Sequence, residues 1–499
     1  MAGRKQIFVG RFISAPGPND LLIQEGAVLV SSTDGHGIIE KTSWTAQNSK
    51  DALTEFGLSE KDVEVVEAHQ NGFFFPGFID THIHAPQYPN VGIFGKSTLL
   101  DWLTTYTFPL EASIGDTGPA AETTSTTTTT TTNGAPSSPT NPQQPASKKR
   151  KLTPLPRAYK VYTKVVDRTL RNGTTTASYF ATLSVPATNL LASIAHTRGQ
   201  RAYIGRVCMD HPETCPDFYR DETPDQTIQH AIESIEYIQR LDPRGELLAP
   251  IVTPRFAPSC QAETLTRLGE LALTRSLRVQ THISENKGEV ELVSQLFPDR
   301  KNYTDVYDHA GLLTHRTILA HAIHLSNDEI TTIAQRKSKI SHCPASNSAL
   351  GSGFCPVRKL LDAGLDVSLG TDVSGGYSVS ILDSVRQTCL VSRQLGYVNG
   401  GEKRWNIGVT EGLWLATVGG ARCVGMEDRL GGFEVGMLWD VQEVVLDEVD
   451  GDEDGDGKGQ VDIFGWENWE ERVDKWVWNG DDRNVRRVWV GGRLVHERG

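Results

Sequence analysis

The sequence of residues 76–84 is Pro-Gly-Phe-Ile-Asp-Thr-His-Ile-His, an apolar segment that ends in two histidines separated by one residue. Side chains alternate between the two faces of a β-strand, so the imidazoles of His82 and His84 can face the same side and bind one ion. A lone His-x-His pair is more often two ordinary histidines that face a core or solvent. The pair therefore indicates a metal site only if the fold brings further ligand-type residues close to it.

Seven more apolar segments alternate with helical stretches along the chain. They span residues 175–180, 202–207, 250–253, 277–282, 317–321, 339–342 and 367–372. This alternation is typical of parallel βα units, so the sequence predicts an α/β fold. Ser326 and Glu329 have the spacing of a capping box, which predicts that a helix begins there.

Ligand-type residues lie at the ends of three of these segments, namely His282, His321 and Asp372. The C-terminal ends of parallel strands meet on one face of a barrel, where residues distant in sequence come together. One such histidine arises easily by chance, whereas an ordered series at successive strand ends does not. We therefore predict one metal site that includes the pair in residues 76–84.

Imidazole and carboxylate ligands suit zinc better than iron or another transition metal, and such a site keeps room for a water molecule. Zinc lowers the pKa of bound water from 15.7 toward about 7, which makes a hydroxide nucleophile available at neutral pH. Glu285 lies three residues after His282 and is placed to carry a proton to the substrate. The alternative role for Glu285 is a solvated carboxylate at a helix start.

The two ends of the chain share a β-rich texture, with short apolar runs separated by polar and glycine turns. They are expected to pair into one small β-sandwich. The predicted division is residues 1–75 plus 430–499 for this sandwich and residues 76–429 for the barrel.

Residues 115–152 interrupt the barrel region with a Thr- and Pro-rich stretch that offers little apolar surface, so we predict a disordered insertion. It ends in the basic cluster Lys148-Lys149-Arg150-Lys151, which is either a nuclear import signal or a solvated loop. Residues 447–459 are predicted to form an acidic surface loop. Their spacing resembles a calcium loop, but Ile463 stands where a bidentate Glu is needed.

Composition narrows the classes of partner. The chain has 499 residues, with 49 Lys and Arg against 62 Asp and Glu, and a net charge of -13. This charge opposes binding to nucleic acid or anionic lipid, so a neutral small molecule is the expected substrate. Seven scattered cysteines without a Cys-x-x-Cys pair fit reduced thiols, and the chain contains neither a signal-peptide pattern nor an apolar span. We expect a cytoplasmic protein.

With these residues in hand, the chain resembles the guanine deaminases of the amidohydrolase superfamily. The resemblance covers residues 73–110 and 159–436, with a weaker match at 480–484. Its most specific segments are residues 76–87, 103–108, 172–182, 254–256, 281–286 and 370–377.

The resemblance implies a distorted (β/α)₈ barrel of the TIM type, a small β-sandwich and a homodimer. It implies one zinc ion per chain, with the ligands His82, His84, His282 and Asp372. His321, which the spacing alone allowed as a ligand, becomes a catalytic or substrate-contacting group, and Glu285 and Asp372 move protons.

The resemblance also implies that Gln87 and Arg255 contact the polar edge of the base and that Phe256 stacks on or beside it. A guanidinium can donate to purine O6 and N7, as it does to guanine in DNA. Adenine lacks O6 and would leave a buried donor unpaired, which selects guanine.

The hypothesis is hydrolysis of guanine to xanthine and ammonia, in which metal-bound hydroxide attacks the carbon that bears the amine. One alternative is a mononuclear amidohydrolase that acts on another amino- or chloro-substituted heterocycle. Gln87, Arg255 and Phe256 argue against it. A second alternative is a non-catalytic scaffold, which does not explain an intact set of metal-site residues.

Overall fold

The computed structural model describes residues 4–33, 36–115, 155–448 and 461–498. The predicted insertion, apart from Gly115, and the basic cluster Lys148-Lys149-Arg150-Lys151 lie outside the described residues. So does the predicted acidic loop, except for residues 447 and 448.

The strands alternate with helices through the middle of the chain. The strands are β1 (Arg4–Gly17), β2 (Asp20–Thr33), β3 (His36–Ser43), β4 (Glu64–Glu67), β5 (Gly72–Pro76), β6 (Phe78–His84), β7 (Thr174–Phe180), β8 (Arg201–Gly205), β9 (Val207–Cys208), β10 (Leu248–Pro254), β11 (Arg278–Ile283), β12 (Thr317–His321), β13 (Lys339–His342), β14 (Val367–Leu369), β15 (Val441–Val445), β16 (Asp447–Glu448), β17 (Asp462–Ile463), β18 (Val485–Val490) and β19 (Arg493–Glu497).

The α-helices are α1 (Ser49–Phe56), α2 (Leu99–Trp102), α3 (Phe108–Ile114), α4 (Pro156–Arg171), α5 (Val185–Arg198), α6 (Pro224–Leu241), α7 (Ala262–Thr274), α8 (Lys287–Leu296), α9 (Tyr303–His309), α10 (Asn327–Arg336), α11 (Pro344–Ala349), α12 (Val357–Asp362), α13 (Ile381–Val398), α14 (Val409–Trp414), α15 (Gly420–Val424) and α16 (Trp469–Asn479). Short 3₁₀ turns span Ala85–Asn90, Asp217–Tyr219, Ala257–Ser259 and Lys403–Trp405, and π-helical turns span Leu103–Thr107 and Leu415–Gly419.

Eight parallel strands form a nearly closed barrel in the order β6-β7-β8-β10-β11-β12-β13-β14, and β9 pairs with β10. The predicted α/β fold with a TIM-type barrel is confirmed. The predicted segments 317–321 and 339–342 coincide with β12 and β13. Ser326 caps α10 as expected, because its side chain accepts from the Glu329 N–H while the Glu329 carboxylate accepts from the Ser326 N–H at 2.9 Å.

Strand β14 is shorter than the sequence suggested and ends three residues before Asp372. The chain leaves the sheet at Gly370, where a Cβ would lie 2.8 Å from the Cβ of His82. Only glycine fits this contact. The end of the apolar segment 367–372, after Leu369, is therefore not a strand but a loop that packs directly on β6.

This loop closes the barrel. The Asp372 N–H donates to the His82 carbonyl at 2.8 Å, and the His84 N–H donates to the Val373 carbonyl at 3.0 Å. The carboxylate of Asp80 accepts from the Thr371 N–H at 3.1 Å and from the Thr371 hydroxyl at 2.5 Å. The two backbone hydrogen bonds place the loop after β14 in register with the end of β6.

The two ends of the chain form one separate sheet, as expected from their similar texture. Its order is β19-β18-β15-β5-β1-β2-β3, with β4 beside β1. The sheet curls, because the rings of Phe8 on β1 and Trp489 on β18 lie 5.2 Å apart although two strands separate them. The Gly37 N–H donates to the Gly491 carbonyl at 2.6 Å, which brings the two edges of the sheet together. The domain limits at residues 75, 76, 429 and 430 stay a prediction.

All seven cysteines lie within the described ranges, where they are buried and form no disulfide. Within those same ranges, no helix has both the length and the apolar character needed to cross a membrane.

The terminal sheet is tied to the barrel by a buried ion pair. Arg201 on β8 donates to both carboxylate oxygens of Asp440, at 2.9 and 3.1 Å, and the two side chains are 4% and 2% exposed. Asp440 also accepts from the Gly491 N–H at 2.7 Å, in the turn between β18 and β19.

Replacing Asp440 with Asn should therefore lower the free energy of unfolding by about 3–5 kcal/mol, because it leaves a buried guanidinium without its counter-charge. The midpoint of urea unfolding measures this loss. Asp167→Asn is the matched control, since Asp167 pairs with Arg198 at a site where both side chains are at least 40% exposed, and it should cost about 0–1 kcal/mol. Equal losses in the two variants would show that the buried pair does not hold the sheet to the barrel.

Candidate active site

The carboxyl ends of the barrel strands bring four of the predicted residues into one cluster. His82 and His84 lie at the end of β6, His282 lies on β11, and Asp372 lies in the loop after β14. One ligand atom from each lies within 4.8 Å of those of the others. The four residues proposed as metal ligands are thus assembled around a single point.

The imidazoles meet through their Nε2 atoms. The Nε2 atom of His84 is 3.2 Å from that of His82 and 3.1 Å from that of His282. Asp372 Oδ1 is 3.1 Å from His82 Nε2 and 3.3 Å from His84 Nε2. His282 Nδ1 lies 2.7 Å from the Arg255 carbonyl, so Nδ1 carries the proton and Nε2 presents a lone pair to the cluster.

Burial disfavours the protonated forms of His82 and His282. Burial lowers the pKa of His82 to about 3. Burial, with His82 and His84 close by, lowers the pKa of His282 well below its ordinary value. For Asp372, burial opposes ionisation, but His82 holds the pKa of the carboxyl well below its usual range. Three imidazoles and a carboxylate are donors that fit a divalent transition metal such as zinc.

His321 is outside this four-residue group. Its Nδ1 lies 2.9 Å from Asn347 Oδ1, while its Nε2 has no hydrogen-bond partner and faces Glu285 Oε2 at 3.4 Å and Asp372 Oδ2 at 3.8 Å. A second group of three, His82, His321 and Cys343, also has ligand atoms within 4.8 Å of each other. Burial raises the pKa of the Cys343 thiol well above its ordinary value, which disfavours the thiolate that would bind metal.

Glu285 lies on the loop after β11 and is 2% exposed. Its Oε1 accepts from the Ser352 hydroxyl at 3.3 Å. Burial, reinforced by Asp372 and Glu289, raises the pKa of Glu285 well above its ordinary value. The carboxyl is thus held next to the cluster in an environment that favours its protonated form.

The backbone around the cluster is strained. Ser284, His321, Ala322 and Asp372 have φ angles of 48°, 74°, 51° and 47°. Left-handed conformations of this kind are unfavourable for residues other than glycine, and they concentrate at sites where the fold must aim a side chain. Here they occur where β11, β12 and β14 end.

A pocket leads to the cluster and combines apolar walls with a few polar groups. Its lining residues are His84, Gln87, Leu99, Trp102, Leu103, Arg255, Phe256, His282, Glu285, Leu350 and Asp372. The predicted substrate-contacting residues Gln87, Arg255 and Phe256 therefore share the pocket with the predicted proton carrier. Such a pocket has the character of a small-molecule site.

One residue of the site was missed by sequence reasoning. Glu111 on α3 is fully buried, and its carboxylate accepts from Arg255 Nη1 at 2.8 Å and from Gln87 Nε2 at 2.7 Å. In the sequence alone, a single Glu three residues after the 103–108 motif has the same pattern as a solvent-facing residue of a helix. Its apolar neighbours Phe108 and Ile114, both buried, were the available signal that this helix packs on the barrel.

A parallel barrel whose strand ends present these donors beside a pocket is typical of metal-dependent hydrolases. Residues 73–495 match the model of the Amidohydrolase family, and the chain belongs to this family. It is 44% identical over 489 residues to a protein of Schizosaccharomyces pombe named as a probable guanine deaminase. This alignment covers 98% of this chain and 83% of that relative.

It is also 38% identical over 438 residues to the guanine deaminase of Homo sapiens, covering 87% of this chain and 85% of that protein. The fold is similar to the crystal structure of the guanine deaminase from C. acetobutylicum with bound guanine in the active site, at a TM-score of 0.79 and 29% identity, covering 99% and 100% of the two chains. The predicted resemblance to guanine deaminases and the prediction of a hydrolase are confirmed.

We expect purified protein to contain about one divalent metal ion per chain, as a single four-donor site requires. His282→Ala should lose most of this metal, because it removes one donor from the cluster. Cys343→Ser is the control and should keep the metal, since the thiol stays protonated. Elemental analysis of the purified variants measures both. Metal loss in the Cys343 variant alone would place the ion in the second group.

Proposed function

We propose that this amidohydrolase hydrolyses guanine to xanthine and ammonia. The observation that carries the proposal is the pocket in which Arg255 and Gln87, both buried, lie beside the histidine and aspartate cluster. The similarity to named guanine deaminases over most of the chain supports the same substrate.

The recognition edge of the pocket consists of hydrogen-bond donors. Arg255 has five N–H groups and no acceptor, and Gln87 presents a second N–H beyond the one that it donates to Glu111. Guanine offers O6 and N7 as acceptors on one edge, whereas adenine carries a donor amine in place of O6. Bound adenine would leave these buried donors without a partner, which disfavours its binding strongly.

Phe256 supplies an apolar surface for the purine ring. It is 7% exposed, and its ring centroid lies 6.4 Å from that of His282. A flat base that packs against this ring is held between the donor edge and the cluster. The ring carbon that bears the amine then faces the cluster.

The metal is proposed to be zinc, held by His82, His84, His282 and Asp372. When bound, zinc acts as a Lewis acid and lowers the pKa of a water molecule toward about 7. Deamination replaces the C–N bond to the amine with a C–O bond from that water. The chain must supply one proton to the ring nitrogen and one to the departing amine.

Glu285 is proposed to carry both protons. Its Oε2 lies 3.4 Å from His321 Nε2, and His321 in turn lies 3.8 Å from Asp372 Oδ2, so these three side chains face the same space. Asp372 Oδ2 accepts the proton that the water loses. Protonated Glu285 gives its proton to the ring nitrogen next to the reacting carbon. It then takes the hydroxyl proton of the tetrahedral adduct and passes it to the amine, which leaves as ammonia while the C–O bond becomes a carbonyl. The proton held by Asp372 returns to Glu285 and restores the starting state.

A homodimer, which the resemblance implies, and a cytoplasmic location, which the scattered cysteines led us to expect, remain part of this proposal. The alternative substrate class, another amino- or chloro-substituted heterocycle, is less favoured because its triazine members lack an edge with both an oxo and a ring-nitrogen acceptor for Arg255 and Gln87.

Ammonia release distinguishes the substrates. The wild-type enzyme should release ammonia from guanine at a higher kcat/KM than from adenine or from an amino-substituted triazine, and at a higher kcat/KM than it releases chloride from a chloro-substituted triazine. Prior removal of the metal with a chelator should abolish the release, and added zinc should restore it. Turnover of a triazine without turnover of guanine would contradict the proposed substrate.

Glu285→Gln should lower kcat for guanine by about 10²- to 10⁴-fold, the usual contribution of general acid–base catalysis. Because Glu285 is not one of the four ligands, the variant should keep its metal. Glu291→Gln is the control, since Glu291 is an exposed residue of α8, and its kcat should equal that of the wild type. Loss of metal from the Glu285 variant would contradict its role as a proton carrier.

A further inference from the structure

The carboxylate of Glu111 connects the two substrate-contacting side chains. Arg255 donates to Glu111 Oε2 from Nη1 at 2.8 Å and to Oε1 from Nη2 at 3.2 Å. Gln87 Nε2 donates to Oε1 at 2.7 Å, and the Tyr219 hydroxyl donates to Oε2 at 2.6 Å. Each oxygen thus accepts two hydrogen bonds, which uses the full accepting capacity of the carboxylate.

Glu111 also determines which way the Gln87 amide points. The nitrogen of this amide faces Glu111, and its oxygen accepts from the Ser374 N–H at 3.1 Å. A flipped amide would place oxygen against the carboxylate and nitrogen against an N–H donor, so both contacts would become repulsive. The amide is therefore fixed with its remaining N–H available to a ligand.

The same carboxylate compensates the charge of Arg255. Arg255 is 3% exposed and Glu111 is 0% exposed, so neither charge is screened by water. Burial alone would raise the pKa of Glu111, but the guanidinium of Arg255 and its hydrogen bonds hold that pKa below its ordinary value. The pair is neutral overall, which suits a pocket for a neutral purine.

Glu111 and its three partners come from separate elements. Gln87 lies in the turn after β6, Arg255 follows β10, Tyr219 ends the 3₁₀ turn Asp217–Tyr219, and Glu111 itself lies on α3. The Glu111 carboxylate therefore holds the side chains of Gln87 and Arg255 relative to each other, whereas the barrel holds only their backbones.

We propose that Glu111 is a positioning residue that sets the substrate specificity of this pocket, and this rests on the proposed function. By accepting one N–H from Gln87 and two from Arg255, it orients the remaining donors of both side chains toward the ligand. The polar edge of the pocket then presents donors only, which matches the 6-oxo edge of a purine and opposes a 6-amino group.

Glu111→Gln tests this role. The amide adds a donor among four donors and leaves Arg255 without its counter-charge, so Gln87 and Arg255 lose their fixed orientation. A displacement of about 1 Å in a positioning group costs on the order of 10²-fold in rate. We expect kcat/KM for guanine to fall about 10²-fold, mainly through KM, with the metal content unchanged.

Selectivity separates positioning from general damage. 2,6-Diaminopurine keeps the reacting amine of guanine but carries a 6-amino group in place of the 6-oxo group. The ratio of kcat/KM for guanine to that for 2,6-diaminopurine should fall at least about tenfold in the Glu111 variant, because the discriminating donors are no longer fixed.

Glu443→Gln is the matched control. Glu443 is also 0% exposed and pairs with an arginine, Arg487, but it lies on β15 of the terminal sheet. This variant should lower stability and leave KM and the guanine preference unchanged. If both variants change the kinetics alike, with the ratio for the two purines constant, Glu111 is structural only and the proposal is wrong.

Tyr219→Phe covers the case in which Glu111→Gln does not fold. It removes one hydrogen bond to Glu111 and keeps the ion pair, so it should raise KM for guanine about threefold to tenfold, as a bond worth about 1 kcal/mol implies. An unchanged KM in that variant would then overturn the proposal. A wild-type enzyme inactive on guanine would instead overturn the proposed function, whereas an active wild type with an unaffected Glu111 variant overturns only this inference.

Discussion

The site depends on the contact that closes the barrel between the end of β6 and the loop after β14. Two backbone hydrogen bonds, from Asp372 to His82 and from His84 to Val373, place the carboxylate of Asp372 next to both imidazoles of the first strand. Gly370 makes this approach possible, because any side chain there would collide with His82. Gly370, which allows the barrel to close, and Asp372, which completes the cluster, therefore lie in the same loop.

Closure also accounts for the chemical character of the cluster. Since the loop covers the strand ends, the imidazoles of His82 and His84 are at most 2% exposed. For His82, removal from water disfavours the protonated form and leaves a lone pair free to bind metal. The positive φ angle of Asp372 occurs where its N–H is bound to the His82 carbonyl, a contact that holds the backbone in this unfavourable conformation.

The positions of the cluster residues could be predicted from the sequence because they follow a rule of topology. His82, His282 and His321 lie at strand ends in a βα repeat, and parallel strands deliver their ends to one face. Asp372 was found by the same rule, although β14 ends earlier than its apolar pattern suggested. The roles of Gln87, Arg255 and Phe256 needed the family resemblance, since a turn or loop residue carries no periodic signal.

Glu111 could not be predicted in this way, because its importance comes from contacts between elements distant in sequence. It is separated from Arg255 by 144 residues and from Tyr219 by 108. It lies on α3, just before residues 116–154, which connect α3 to α4. Because its carboxylate is bound by three side chains from the barrel side, α3 is held in place by contacts within the described residues. The carboxylate of Glu111 is therefore positioned beside Arg255 and Gln87 by contacts within the described residues.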